Sequence, residues 1–221
     1  MTTLGIIGAG NIGVNVAKAA IAAGHRVVIA NSRGPETLGD VIAELGPAHA
    51  RAATVEQAAA AGDIVLVAIP LSAIDDLPTE PLRGTIVLDA NNYYPGRDGR
   101  IASLDSNVST TSQLLQKHLP QSHVVKAFNH INAKDIPAHA TPAGTPDRRA
   151  LAVFGDDPSS KHVAAAFINS VGYDVVDLGR LKDNLAPGAR HPRIWPTHDR
   201  RRTARHRRPH HSRQAAVARR P

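Results

Sequence analysis

The sequence has no cysteine, and only 3% of its 221 residues are aromatic. The first absence excludes disulfides, thiol catalysis and cysteine-ligated metal or iron–sulfur centres. The second leaves Ala, Val, Ile and Leu to build a core from an ordinary hydrophobic fraction of 42%. No apolar run approaches the roughly 18–20 residues a membrane-spanning helix needs, and no basic stretch precedes the first apolar run. These absences predict a soluble, cytoplasmic protein with no membrane partner. Tyr followed four residues later by Lys, G-x-S-x-G and H-E-x-x-H are all missing too. His25, His49, His118, His123, His130, His139 and His162 stand without metal-ligand spacing, so no metal is expected.

Acidic residues are scarce only at one end. The net charge of +7 divides into 13 basic and 17 acidic residues over 1–179, and 13 basic and 2 acidic residues over 180–221. The first part is mildly acidic, like a metabolic enzyme and unlike a nucleic-acid-binding domain. The second holds 12 Arg and 5 His with almost no aliphatic periodicity. It cannot bury enough apolar surface to offset its ordering entropy, which predicts a disordered basic tail. Such a tail could bind nucleic acid, although an Arg-, His- and Pro-rich stretch is also what a GC-rich coding region yields when read out of frame.

What is present is an alternation of short aliphatic runs with Ala-rich helical patterns. Strands are predicted at Leu4–Gly8, Arg26–Ala30, Ala52–Thr54, Asp63–Ile69, Thr85–Asp89 and His123–Phe128. Helices are predicted at Asn11–Ala23, Pro35–Leu45, Val55–Ala61 and Thr111–His118. A last unit follows as Leu151–Gly155, Ser159–Ser170 and Tyr173–Leu178. This order predicts an α/β fold, a Rossmann doubly wound parallel sheet with right-handed crossovers. Residues 1–135 read as the dinucleotide-binding domain, 136–179 as a small C-terminal α/β part, and 180–221 as the tail.

The first loop carries the chemistry. Gly8-Ala9-Gly10-Asn11-Ile12-Gly13 is a G-x-G-x-x-G set between a strand and a helix. Gly8 allows the tight turn, Gly10 lets the backbone approach a pyrophosphate, and Gly13 lets helix and strand pack closely. The amides of Gly10–Ile12 then face an anion at a helix N-terminus. At the end of the second strand an NAD site usually carries an acid, but Asn31-Ser32-Arg33 stands there instead. Ser32 can donate to a 2′-phosphate and Arg33 can pair with it, so NADP(H) is the expected cofactor. Ala68, Ile69 and Pro70 end the fourth strand, where a doubly wound sheet opens its ligand crevice. Just beyond the fifth and sixth strands, Asn91 is expected beside the cofactor, and Asn92, Tyr93, Asn129 and His130 beside the acceptor. Lys126 reads as a strand-end residue rather than a catalytic one.

With Gly8–Gly13, Asn31–Glu36, the run Asp89-Ala90-Asn91-Asn92-Tyr93-Tyr94-Pro95 and Lys126-Ala127-Phe128-Asn129, residues 3–180 resemble the NADPH:coenzyme F420 oxidoreductases. The resemblance implies hydride transfer between NADPH and a deazaflavin, with F420 as co-substrate, in an often dimeric protein. It implies that Ala9–Ile12 hold the pyrophosphate, Ser32 and Arg33 the 2′-phosphate, and that Ile69, Pro70 and Ala127 lie along the nicotinamide. Two departures stand out: Glu36 and Thr37 occupy a region where some members are basic, and the match ends at about Leu181. No acid–base constellation is visible, which fits direct transfer between two planar rings. The alternatives are reduction of a small imine or carbonyl metabolite, which would need a positioned acid, and binding of NADP(H) without turnover.

Overall fold

The computed structural model describes residues 1–185. In chain order these form β1 (Thr3–Ile7), α1 (Asn11–Ala22), β2 (Arg26–Ala30), α2 (Gly39–Leu45), β3 (Ala50–Ala52), α3 (Val55–Ala61), β4 (Ile64–Val67) and β5 (Ile86–Asp89). After them come α4 (Pro95–Asp98), α5 (Ala102–Asp105), α6 (Thr111–His118), β6 (His123–Lys126), α7 (Asp135–Ala138), β7 (Ala150–Gly155), α8 (Pro158–Ser170) and β8 (Asp174–Asp177). The basic segment discussed above falls, from residue 186 on, outside the described residues.

The eight strands make one sheet in the order β3-β2-β1-β4-β5-β6-β7-β8. Side chains alternate across it, as strand geometry dictates. Leu4, Ile6, Ile29, Leu66 and Leu88 face a core shared with α1 and α8, whereas Ile7, Val65, Val67 and Val87 share a second core with Leu115 of α6 and Leu119 just after it. Covered on both sides, the central strands can be continuously apolar, as β4 is throughout. The strand order reverses between β1 and β4, since the chain steps from β1 outward to β2 and β3 and then returns to pair β4 on the other side of β1. Ligand crevices of doubly wound sheets open at that point.

Three details differ from the sequence expectation. The segment Pro35–Leu45 is a 3-10 turn over Pro35–Leu38 followed by α2, not a single helix. β3 lies two residues early, because Thr54 is taken as the N-cap of α3 in a capping box with Gln57. β7 runs antiparallel to β6, so the last unit extends the same sheet with its direction reversed. A parallel return needs a crossover of a dozen or more residues, usually a helix. The connection, residues 127–149, is long enough, but with Pro137, Pro142, Gly144 and Pro146 in it its only helix is the four-residue α7, too short to serve as a crossover helix.

Candidate active site

Past the C-terminal ends of β1, β4, β5 and β6 lies a cleft of about 480 Å³. Gly10, Asn11 and Ile12 form one wall, Ala68, Ile69 and Pro70 a second, Ala90, Asn91, Asn92, Tyr94 and Arg97 a third, and Asn129, Ile131, Asn132 and Ala133 a fourth. The wall made by the first loop depends on what its glycines lack. Gly8 has φ +115°, and a Cβ there would lie 2.2 Å from the Ala68 carbonyl oxygen. A Cβ at Gly13 would lie 2.0 Å from the Gly8 carbonyl oxygen, so only glycine lets α1 seat on the loop. Gly10 differs: a Cβ there would meet nothing within 4 Å. The protein's own packing does not require a glycine at this exposed position. No side chain caps the start of α1, and its first turn carries no acid. Open space above Gly10 and uncapped amides behind it fit a diphosphate.

The floor is polar and dry. Asp89 is fully buried at the end of β5, and Lys126 at the end of β6 is 1% exposed. Lys126 Nζ donates to Asp89 Oδ2 at 3.1 Å, to Thr111 Oγ1 at 2.9 Å and to the Asn91 carbonyl oxygen. Ser112 adds a 2.6 Å hydrogen bond to Asp89 Oδ2. Burial pulls the Lys126 ammonium below its ordinary range, against the Asp89 carboxylate that supports its charge. All three ammonium hydrogens are thereby engaged, so Lys126 clamps β5 to β6 and does not face the cleft. Asn91, 3% exposed, receives the Ile69 N–H on Oδ1 at 2.8 Å and gives its own N–H to Asp89 Oδ1 at 2.9 Å. Its Nδ2 has no partner among the described residues.

The loops above the floor are tied to one another. Asn92 Nδ2 donates to the Asn129 carbonyl oxygen at 2.8 Å, joining the loops after β5 and β6. Phe128, buried with φ +59°, turns the chain into that loop in a conformation costly for a bulky residue. The His130 ring accepts the Ala152 N–H on Nε2 at 3.0 Å, which places its proton on Nδ1, 3.2 Å from Asn129 Oδ1. Burial, with help from the charges of Arg149 and Lys126, lowers its pKa to about 4, so His130 is neutral near pH 7 and braces Asn129. Arg97 pairs with Asp98, donates to the Asn92 carbonyl oxygen at 3.0 Å and lies 5.0 Å from the centre of the Tyr94 ring. Burial pushes the Asp98 carboxyl up, but the hydrogen bonds from Arg97 and from the Tyr94 and Leu71 amides bring it below its ordinary value.

Of the residues expected from sequence, Gly10, Asn11, Ile12, Ala68, Ile69, Pro70, Asn91, Asn92 and Asn129 meet in the cleft. Gly8, Ala9 and Gly13 support the loop from behind, and Ala127 is buried in the core. Tyr93 turns away: its hydroxyl donates to Asp105 at 3.0 Å and accepts from the Ile101 amide at 2.9 Å. Asn31, Ser32 and Arg33 stand outside the cleft at the end of β2. There Asn31 Oδ1 accepts the Arg33 N–H at 2.9 Å and Asn31 Nδ2 donates to Thr37 at 2.9 Å. The Ser32 and Arg33 side chains are exposed and make no hydrogen bond or ion pair among the described residues. Sequence reasoning missed Ala90, Tyr94, Arg97, Ile131, Asn132 and Ala133. A Pro-Gly-Arg-Asp turn able to hold Arg97 was the one local signal.

A Rossmann sheet with a glycine loop over its switch point, an anion-ready helix start and an amide-lined cleft defines an NAD(P)-dependent oxidoreductase. The comparisons narrow this. The chain belongs to the family described as coenzyme F420-dependent NADP oxidoreductases, whose sequence profile matches residues 3–93. A hypothetical protein from Sinorhizobium meliloti is 32% identical, with a TM-score of 0.71 over 83% of this chain and 88% of that one. A candidate F420-dependent NADP reductase from Arthrobacter sp. FB24 is 24% identical, with a TM-score of 0.68 over 84% of this chain and 90% of that one. An imine reductase variant from Myxococcus stipitatus, in complex with NAD+, is 20% identical, with a TM-score of 0.56 over 83% of this chain and 56% of that one. The last two likenesses are of fold. No curated protein matches in sequence. Among the described residues no helix is long and apolar enough to cross a membrane, and no cluster of three or more acidic or His side chains could hold a metal.

Proposed function

We propose that this protein moves a hydride between NADP(H) and a planar conjugated acceptor of the F420 or flavin type. The carrying observation is the lining itself: its ionisable side chains are Tyr94 and Arg97, with no carboxylate, histidine or lysine facing the space. Reduction of an isolated carbonyl calls for a positioned acid, whereas a conjugated ring takes up charge within its own π-system. Gly10–Ile12 would hold the diphosphate, and Ser32 with Arg33 the 2′-phosphate. The free Ser32 and Arg33 side chains, without an acid at Asn31, favour NADP(H) over NAD(H).

When bound, the nicotinamide supplies the hydride. The protein's residues do the rest by position and exclusion. Ile69 and Pro70 offer an apolar wall, the Asn91–Asn92 and Asn129 amides orient polar edges, and Arg97 beside Tyr94 places a cation and an aromatic face at the mouth. Residues 1–135 would carry the cofactor, and 136–179 would complete the acceptor side through the β7 contact on His130. Cytoplasmic location and a homodimer belong to the same proposal.

Reduction of a small imine is the second reading. One observation favours it: Tyr94 is 42% exposed, and its hydroxyl has no hydrogen-bond partner among the described residues and could give a proton. Purified protein with NADPH and, in turn, F420, FMN and a cyclic imine separates the readings by absorbance. Oxidation of NADPH by F420 or FMN that survives Tyr94→Phe supports the first. Turnover of the imine alone, lost in Tyr94→Phe, supports the second. Tight NADPH binding without turnover of any acceptor would contradict both.

A further inference from the structure

We infer that the Asn91 side-chain amide orients the nicotinamide ring by donating from Nδ2 to the carboxamide oxygen of the bound cofactor. This rests on the dinucleotide reading above and gives one residue a definite role in it. Asn91 Nδ2 is one of two buried side-chain polar atoms without a partner among the described residues, the other being Thr141 Oγ1 away from the cleft. Buried donors are nearly always satisfied, so an orphan in the wall of a ligand cleft points to a ligand. Turning the amide over does not rescue it, because the Ile69 N–H would then face an NH2 group.

The amide is also held unusually firmly. Asn91 is fixed through its backbone N–H to Asp89, through its carbonyl oxygen to Lys126, and through Oδ1 to Ile69. Lys126 is itself bound to Asp89 and Thr111. None of Asp89, Thr111 or Lys126 lines the cleft. They are positioning residues that fix the Asn91 backbone, and the side chain can turn only by giving up its hydrogen bond from the Ile69 N–H. The atom left over is a donor, so its ligand partner must be an acceptor oxygen.

Two ligand groups share that chemistry, the nicotinamide carboxamide and a carbonyl of the hydride acceptor. Depth favours the first. Asn91 is 3% exposed in the cleft lining, while Tyr94, at 42%, is at its solvent-exposed rim. Water does not reach Nδ2, so an entering ring must part the cleft wall to meet it.

Nuclear magnetic resonance of the isotope-labelled wild-type chain tests this. The protein is titrated with NADP+ and, separately, with 2′,5′-ADP, which has the phosphorylated adenosine half and no nicotinamide. The Asn91 side-chain NH2 signals should move downfield with NADP+ and stay in place with 2′,5′-ADP. Asn91→Asp keeps an oxygen for the Ile69 N–H and removes the donor. It should weaken NADP+ about tenfold and leave 2′,5′-ADP within about twofold. Asn91 signals that ignore NADP+ while the Gly10–Ile12 amides respond would overturn the inference and leave the cofactor reading standing. Signals that move only when FMN is added as well assign the amide to the acceptor and overturn it too. No response anywhere to either nucleotide would sink the cofactor reading itself. If Asn91→Asp does not fold, the wild-type titration decides alone.

Discussion

At the ends of β5 and β6 the polar side chains are buried and, Asn91 Nδ2 apart, spend their hydrogen bonds on one another. At the end of β2, Ser32 and Arg33 stand in water with free donors. The first region is bonded before any ligand arrives except at Asn91 Nδ2, and the second is finished only by one. Orientation and affinity are therefore built in different places. A buried, mutually bonded floor can hold a ring at a fixed angle because its dipoles cannot relax. An exposed serine and arginine can choose a phosphate while contributing little to the fold.

Breaking the floor should have the largest effect. Lys126→Met leaves the Asp89 carboxylate buried without its cation, and chemical denaturation should report a loss of about 3–5 kcal/mol. An equally stable Lys126→Met protein would erase the contrast between the two regions. Next is the brace behind Asn129. The unfolded chain takes a proton on His130 below its ordinary 6.5, whereas the folded chain resists until about 4. Unfolding therefore gains protons, and stability declines as pH falls through this window, by roughly 3 kcal/mol at most. His25, lowered by burial and by the charge of the N-terminus, acts in the same direction. Urea unfolding at about pH 7 and pH 4.5 should show the decline, reduced in His130→Gln.

The glycine loop sharpens the comparison in a single pair. Gly13→Ala drives a methyl into the Gly8 carbonyl and should cost about 1–3 kcal/mol of stability. Gly10→Ala meets open space, so its melting temperature should stay near wild type while NADPH binding falls about tenfold. The smallest effect belongs to Glu36. Its carboxylate folds over Gly34, with Oε1 2.3 Å from where a Cβ would be, next to the proposed phosphate site. Glu36→Gln should tighten NADPH roughly two- to threefold at low salt and not at all at high salt.

Much of this was legible in the sequence because the signals were local. The aliphatic run before Gly8 and the Ala-rich run after it fixed β1 and α1, and Thr111–His118 and Arg26–Ala30 were read to the residue. The capping box at Thr54–Gln57 was also local, and reading it would have moved β3 to its observed place. What could not be read depends on distant partners. Neighbouring Tyr93 and Tyr94 point opposite ways, and Asp105 and Ile101 decide which of them leaves the cleft. The partner of Lys126 lies 37 residues away on β5, and that of His130 lies 22 residues away on β7. Cleft residues Ile131–Ala133 carry no motif at all and are placed by the turn at Phe128.

Equilibrium titration of NADPH and NADH into the wild-type chain and into Arg33→Asp tests the central claim most directly. The wild type should bind NADPH at least about tenfold more tightly than NADH, and Arg33→Asp should abolish that ratio. Equal affinities in the wild type, or a ratio that survives the substitution, would contradict the account.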